Sequence, residues 1–546
     1  MDEGVFWEVI SPDLTAKEAE YQIVSGNPIT RDVTGEEVYS TIYAMVEARN
    51  EKGVIWVGAN DGPVHVSRDN GKTWKNVTPR GLVGARIQNI EDSPHARGRA
   101  YIAAYRFLRE HDFKPYIYRT DDYGATWMLL TDGGNGIPDE YPTRVVREDP
   151  RQPGLLYAGT EFGFFVSFNA GKNWQPLQMN LPVTPVTDLR VHRNDLVIST
   201  MGRSAWIMDN VTPLQQLAAI AQGTSRAAAA GSSAWLSGPS ALADSSADPT
   251  SPGGSWSAAE QAPATLPAML MFAPRETIRL RNSSAPSSGS EPEYPGAMAQ
   301  IDLYFQTAPP ADAKVEITDA RGGVIKSWGV LQPRQGAGGG QEMRGFFRRG
   351  AVSSAGILPE AGMQRLVWDM RYPGPWAPNA PEGGPGGPLV PPGKYTLKLI
   401  AGGQTATRTL EVKSDPRLAA DGVTDGDLGE QVKFQLSVRD ALSDARKLQA
   451  SIEEAMKAQG VKPVPPAPPG ASPATTKYDH PLQKLWAQVV DTPGIYVQGM
   501  LISQLQNVQR MVGQADQKVG KDAYDRFGDL QTELARLQAE FAKTGK

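Results

Sequence analysis

Ser67-Arg68-Asp69-Asn70-Gly71-Lys72-Thr73-Trp74 decides the reading of this chain, because its frame, S-x-D-x-G-x-T-W, returns. Thr120-Asp121-Asp122-Tyr123-Gly124-Ala125-Thr126-Trp127 repeats it, and Ser167-Phe168-Asn169-Ala170-Gly171-Lys172-Asn173-Trp174 does so in weaker form. Asp2-Glu3-Gly4-Val5-Phe6-Trp7 fits the last six positions of a fourth copy. Internal repeats dictate architecture, and the three full copies stand about 50 residues apart. Each residue type has a task. The acidic or amide side chain folds back on turn N–H groups, glycine takes the positive φ, and tryptophan opens the next strand by packing between sheets. The octapeptide therefore predicts a hairpin clasp. Ahead of the first clasp lie strand-like runs at 42–47, 54–58 and 64–67, and a strand following Trp74 makes four per repeat.

Four-stranded units of this length in series describe the blades of a β-propeller. Blades are expected near 41–79, 85–131, 142–180 and 186–212, the last ending Leu196-Val197-Ile198-Ser199-Thr200-Met201-Gly202-Arg203-Ser204-Ala205-Trp206-Ile207-Met208-Asp209. Trp7-Glu8-Val9-Ile10 precedes them as an outer strand whose own blade is absent. The expectation is a partial propeller of about four blades over 1–214, completed by a companion chain or a missing N-terminal segment.

Over roughly residues 1–214 the sequence resembles bacterial BNR-repeat (Asp-box), sortilin-like propeller proteins of the glycosyl hydrolase-labelled type. The residues carrying the resemblance are Trp7 to Thr15, the octapeptides, Pro115 to Thr120, Glu148-Asp149-Pro150, Gly154 to Glu161, and Gly202-Arg203-Ser204. The resemblance implies an extracellular or periplasmic protein that binds a polysaccharide or polypeptide. It also admits an active glycoside hydrolase, although the label rests on turn-clasping repeats rather than on a catalytic motif. Relatives of this kind carry a secretion signal, whereas Met1 to Trp7 has neither a basic nor an apolar region of a signal peptide.

Beyond the propeller, residues 215–270 turn to Ala, Ser, Gly and Pro, as in 245–254, and read as a linker. Residues 271–415 carry strand-like runs at 277–280, 301–305, 315–317, 366–369 and 395–399, with the turn Pro392-Gly393. They predict an Ig-like β-sandwich with Gly/Pro-rich loops near 333–361 and 374–391. From 416 to 546 the period changes. Phe434, Val438, Ala441, Ala445, Leu448 and Ile452 follow helical spacing, as do Tyr524, Phe527, Leu530, Leu534, Leu537 and Phe541. A Pro-rich break at 463–469 predicts a helical hairpin or bundle that packs intramolecularly. The expected fold class is thus mainly β, with a C-terminal α-helical region.

Composition narrows the chemistry. The 546 residues carry 55 basic and 60 acidic side chains in no long single-sign block, which gives no footprint for nucleic acid. No apolar run is long enough for a membrane span. Cysteine is absent, so disulfides, thiolate metal sites and a cysteine nucleophile are excluded. The five histidines show no metal-ligand spacing, and there is no P-loop, nucleophile elbow or dinucleotide motif. Neither a metal nor a cofactor is expected. Carboxylate chemistry remains, and a glycosidase needs two acids about 5 to 9.5 Å apart.

Loops joining second and third strands project from the end opposite the octapeptides. There lie Asn60 and Asp61 in the first blade, Arg109-Glu110-His111-Asp112 in the second, and Thr160-Glu161-Phe162 in the third, with Arg203 in the fourth. Glu110 or Asp112 with Glu161 are the candidate catalytic acids. Asn60, Asp61, Arg109, His111, Phe162 and Arg203 are candidate ligand contacts. The competing reading is structural: Asp61-Gly62 is a good hairpin-turn pair, and Phe107, Phe113 and Phe162, though able to stack on sugar rings, are of a kind that more often packs between blades.

Overall fold

The computed structural model describes residues 7–19, 40–82, 84–223, 266–281, 298–332, 352–353, 355–381, 383–384, 386–462, 478–491 and 499–544. The partial octapeptide at 2–6, most of the linker, the loop at 333–350 and the Pro-rich break lie outside them. The described residues fall into two compact units, divided between Ala268 and Met269.

The first unit is a series of antiparallel meanders. Blade 1 comprises β1 (Ile42–Glu47), β2 (Ile55–Ala59), β3 (Val64–Ser67) and β4 (Lys75–Asn76). Blade 2 comprises β5 (Arg86–Asp92), β6 (Ala100–Arg106), β7 (Asp112–Thr120) and β8 (Met128–Leu129), with the short helix α1 (Phe107–Glu110) between β6 and β7. Blade 3 comprises β9 (Thr143–Glu148), β10 (Leu156–Thr160), β11 (Phe164–Ser167) and β12 (Gln175–Pro176). Blade 4 has three strands, β13 (Val186–His192), β14 (Asp195–Thr200) and β15 (Ala205–Met208). The innermost strands β1, β5, β9 and β13 pack beside one another in succession, which is the arrangement of propeller blades. The fourth blade departs from the expected four strands, because no octapeptide follows β15. Helix α2 (Thr212–Ala221) follows instead and buries Leu214, Ala218 and Ile220. The compositional shift at 215 therefore falls inside a helix.

The octapeptides form the predicted clasps and also latch each blade to the one before. In the first, Asp69 Oδ1 accepts from Thr73 N (2.8 Å), Asp69 Oδ2 from the Thr73 hydroxyl (2.6 Å), and Ser67 Oγ from Gly71 N (2.8 Å). Asp122 and Asn169 accept from the backbone N–H of Thr126 and Asn173 at 2.8 and 2.9 Å. Two residues per turn take positive φ, Asn70 and Gly71, Tyr123 and Gly124, Ala170 and Gly171. The sequence assigned that conformation to glycine alone. The latch is the tryptophan: Trp127 Nε1 donates to the Val77 carbonyl (2.7 Å) and Trp174 Nε1 to that of Leu130 (3.0 Å), each just past the preceding blade's outer strand. Trp74 makes the same bond to Ile10 (2.9 Å), so Ile10 stands where an outer strand would end. Trp7 to Ile10 forms no strand ladder of its own, because outer strands of two residues exist here only by pairing with a third strand of the same blade.

Blade faces interlock through aliphatic side chains and small residues. A Cβ at Gly159 of β10 would stand 2.6 Å from Val186 Cγ1 of the next blade, so only glycine permits that approach. Trp56 is fully buried and meets Trp127 edge-on at 6.3 Å. Outer faces are different: Met45 on β1 is 72% exposed and Ile207 on β15 is 63% exposed.

The second unit joins a two-layer β-sandwich to helices. One sheet has β16 (Met269–Met271), β18 (Ala299–Phe305), β22 (Gly362–Trp368) and β21 (Val352–Ser353); the other has β17 (Thr277–Ile278), β24 (Gln404–Lys413), β23 (Gly393–Ala401), β19 (Lys314–Thr318) and β20 (Val324–Gly329). Leu303, Val315, Trp328, Leu366, Trp368, Leu397 and Leu410 fill the space between them. The pairs β17–β24 and β21–β22 run parallel, so the sandwich is mixed rather than purely antiparallel. Four helices follow among the described residues: α3 (Asp425–Ala458), α4 (Pro481–Val489), α5 (Leu501–Gly513) and α6 (Lys521–Thr544). Thr424 and Asp427 form a capping box at the start of α3. The apolar stripes read from the sequence make the bundle core, with Phe434 edge-on to Phe527. Sandwich and bundle were expected as separate domains. Both fall in the second compact unit, where polar bonds run between them, Asp516 to Arg279 (2.6 Å) and Ser443 Oγ accepting from Trp376 N (3.0 Å).

Candidate functional site

Every inner strand of the propeller carries a register step at the same place. Pairing jumps across Tyr43 in β1, Gln88 in β5, Arg144 in β9 and Thr187 in β13, each immediately after a pair at or near the end of the second strand. Bulges re-aim side chains and gather next to functional sites. Four in register place Tyr43, Gln88, Arg144 and Thr187 at the end of the blades that bears the loops joining second and third strands.

Two of the four, Tyr43 and Arg144, belong to a belt of charge and aromatic contacts crossing three blades. Arg86 stacks over the Tyr43 ring (4.1 Å) and donates to the Tyr105 hydroxyl (3.1 Å). Arg144 lies over the other side of that relay, 5.6 Å from the Tyr105 ring, and pairs with Glu161 through Nε (2.7 Å) and Nη2 (2.6 Å). Tyr105 stacks on Phe107 (4.7 Å), and Phe107 on Phe113 (5.8 Å), which stands half-exposed. Phe162 meets Tyr141 edge-on at 5.1 Å and keeps an exposed face. Gln88 Oε1 is buried and accepts no hydrogen bond, and Thr187 shares one with Ser199 (2.8 Å).

Among the candidate acids, Asp112 and Glu161 are both closed by guanidinium groups. Asp112 accepts from Arg106 (3.1 Å), the Tyr116 hydroxyl (2.6 Å) and Lys114 N (3.1 Å). Partial burial pushes its carboxyl upward, but these three donors outweigh it and hold the group below the ordinary range. It is an acceptor at neutral pH. Glu110 is exposed on α1, its carboxylate beside Gly84. His111 is exposed in the left-handed region at the end of α1, φ 51°.

Asn60 and Asp61 brace the chain. Asn60 Oδ1 accepts from Ser40 N and Thr41 N (both 3.0 Å), and Asp61 Oδ2 from Ala16 N (2.9 Å) and Lys17 N (3.2 Å). Arg109 pairs with Glu18 (3.1 Å). Arg203 is exposed in the turn between β14 and β15, its carbonyl accepting from Trp206 Nε1 (2.8 Å).

A second charged row lies toward the octapeptide end. Glu91 of β5 is buried between Arg49 (3.1 Å) and Arg147 of β9 (2.7 Å), and Arg147 continues to Asp188 of β13 (2.7 Å). The row runs through four blades with alternating sign and fastens neighbouring inner strands. Beside it Asp92 is buried, and burial raises its carboxyl to about 6 against the bond from Arg49 N.

The sequence reading found the loops but missed the belt and the row. Arg86, Arg144 and Tyr105 sit within strands, and only blade-to-blade register brings them together. A signal was present in the polar residues at the start of each inner strand. No group of three or more His, Asp or Glu able to hold a metal occurs among the described residues.

No family model matches the chain. It is 32% identical over 121 residues to an oligoxyloglucan-reducing end-specific xyloglucanase of Emericella nidulans, covering 20% of this chain and 14% of that protein. It is 30% identical over 113 residues to a probable oligoxyloglucan-reducing end-specific xyloglucanase of Neosartorya fischeri, covering 20% and 13%. The chain thus matches only a small part of the length of these curated relatives. Among solved structures, it is similar to a GH74 xyloglucanase from Xanthomonas campestris, with 18% identity, a TM-score of 0.25, and coverage of 31% of this chain and 28% of that one.

Proposed function

We propose that the propeller is a carbohydrate-binding module that holds a plant-type polysaccharide across its loop face without cleaving it. The observation carrying this reading is the row of in-register bulges with Tyr43, Gln88, Arg144 and Thr187, flanked by the Tyr105–Phe107–Phe113 stack. Neutral sugars present hydroxyls to polar side chains and C–H faces to aromatic rings, and both surfaces lie on one end of the blades. Hydrolysis needs a protonated acid at the leaving oxygen. Asp112 is held ionised, and Glu161 is committed to Arg144.

The relatives named as xyloglucanases support xyloglucan fragments as the ligand to test first. They also make catalysis by Glu110 or Asp112 with Glu161 the reading to set against binding. The protein is an Asp-box, sortilin-like scaffold with an Ig-like sandwich, exported from the cytoplasm. Further blades, from a companion chain or from more of the same polypeptide, cover the exposed face of β1. The latch from Trp74 to Ile10 supports this, since Ile10 takes the place of a preceding outer strand.

The test is incubation of the chain with xyloglucan, following both retention and new reducing ends. Retention without reducing ends supports the proposal. Reducing ends that disappear in Glu161→Gln or Glu110→Gln support the hydrolase, and retention of an unstructured peptide in place of the glycan supports a polypeptide ligand.

A further inference from the structure

We infer that the second unit holds a binding site for a small hydroxylated organic anion, in a cavity of about 300 Å³ lined by Arg281, Arg371, Arg510, Gln435, Gln509 and Gln514 among others. The inference does not rest on the reading of the propeller.

Three guanidinium groups line this cavity and no carboxylate does. Arg281 spends Nε on Asp516 and Nη1 on the Gly513 carbonyl, while Nη2 is buried and has no hydrogen-bond partner. Asp516 also pairs with the fully buried Arg279, at 2.6 Å, so one carboxylate serves two guanidiniums and the cluster keeps a net positive charge. Arg371 donates to the Gly387 carbonyl (2.9 Å) and Arg510 to Asn507 Oδ1 (2.6 Å). Both acceptors are neutral, so neither cation is balanced by them.

A concave wall with uncompensated cations concentrates anions, and guanidinium forks match the two oxygens of a carboxylate or phosphate. The glutamines add the second half of the recognition. Gln435 donates through Nε2 to the Val512 carbonyl (2.9 Å), which leaves Oε1 as a buried acceptor with no donor. A hydroxyl supplies such a donor, and the carboxamides of Gln509 and Gln514 can both give and accept. The volume is at the lower end of that of small-molecule sites, which begin near about 300 Å³. The chemistry that fits is an oxyanion on a short polyhydroxylated skeleton. A sugar acid and a sugar phosphate share it.

Calorimetric titration of the full chain with glucuronate, glucose 6-phosphate and glucose tests the site. At least one of the two anions is expected to bind saturably with a Kd below about 1 mM, and glucose is expected not to bind. The stronger anion identifies carboxylate or phosphate as the source. Arg510 is exposed, so Arg510→Gln keeps the fold, and it should weaken binding about 3-fold or more at low salt. Arg371→Gln combined with it should weaken binding about 10-fold or more, with circular dichroism and the urea midpoint establishing that the double variant is folded. If the double variant does not fold, the single Arg510 variant decides. No saturable heat with either anion, equal binding of glucose, or unchanged affinity in the folded arginine variants overturns the site.

Discussion

The indole N–H of Trp74 donates to the carbonyl of Ile10 at 2.9 Å, across 64 positions of sequence. Trp127 and Trp174 make the same bond to Val77 and Leu130. The octapeptide is therefore a turn clasp and an inter-blade latch at once, and the two roles separate by mutation. Trp174 is buried, so Trp174→Phe keeps most of the apolar contact but leaves the Leu130 carbonyl without this indole donor. That carbonyl keeps the Asn135 amide as a donor (2.8 Å), so the expected cost is about 0.5–1.5 kcal/mol, read from urea unfolding of the variant against the parent. Trp74→Phe, at a half-buried position, should cost less.

Glu91 is the keystone of the charged row. Removing it leaves Arg147 buried beside an exposed Asp188 as its remaining acidic partner. Glu91→Ala should destabilise the propeller by about 3–5 kcal/mol. Arg49→Ala, at the exposed end of the row, should change stability by less than about 1 kcal/mol. Equal losses in the two denaturation curves would remove the row from the account of blade cohesion.

Asp92 gives the propeller a pH-dependent weakness. Burial raises its carboxyl from 3.8 to about 6, so the folded state prefers the protonated form. The stabilisation is complete below about pH 4 and disappears as pH rises through about 6. Asp92→Asn should therefore flatten the fall in stability between these values. Thermal melts of both proteins at half-unit intervals check it.

Asp69 behaves in the opposite sense. The Thr73 hydroxyl and N–H lower its carboxyl from 3.8 to about 2, so its contribution is present above the ordinary value and is lost as pH falls toward 2. Asp69→Ala should lose stability at pH 6 and converge on the parent near pH 2. A constant difference across that range would mean that the clasp does not depend on the ionised form.

The elements of the propeller were legible where a local rule governs them. Asp69, Gly71 and Trp74 specify a turn within eight residues, and the strands on either side follow from alternation. The helical stripes from Phe434 and from Phe527 were legible for the same reason. What the sequence hid depends on register. Tyr43, Gln88, Arg144 and Thr187 share no motif, and their equivalence appears only when each inner strand is paired with its neighbour. The joining of sandwich and bundle was hidden as well, because Arg279 and Asp516 lie far apart in sequence and meet only when both layers are folded. Asp61 was legible as a turn residue; its hold on Ala16 and Lys17 was not.

On the reading proposed above, the loop face holds a glycan through the bulge row and does not cut it. Calorimetric titration of the oligosaccharide proposed as ligand into the parent chain and into Arg144→Ala tests this most directly, with the titrated mixture then assayed for reducing ends. Expected are saturable binding to the parent, a loss of affinity of about 10-fold in the variant, and an intact oligosaccharide afterwards. Undiminished binding by Arg144→Ala, no binding by the parent, or a cleaved oligosaccharide would contradict it.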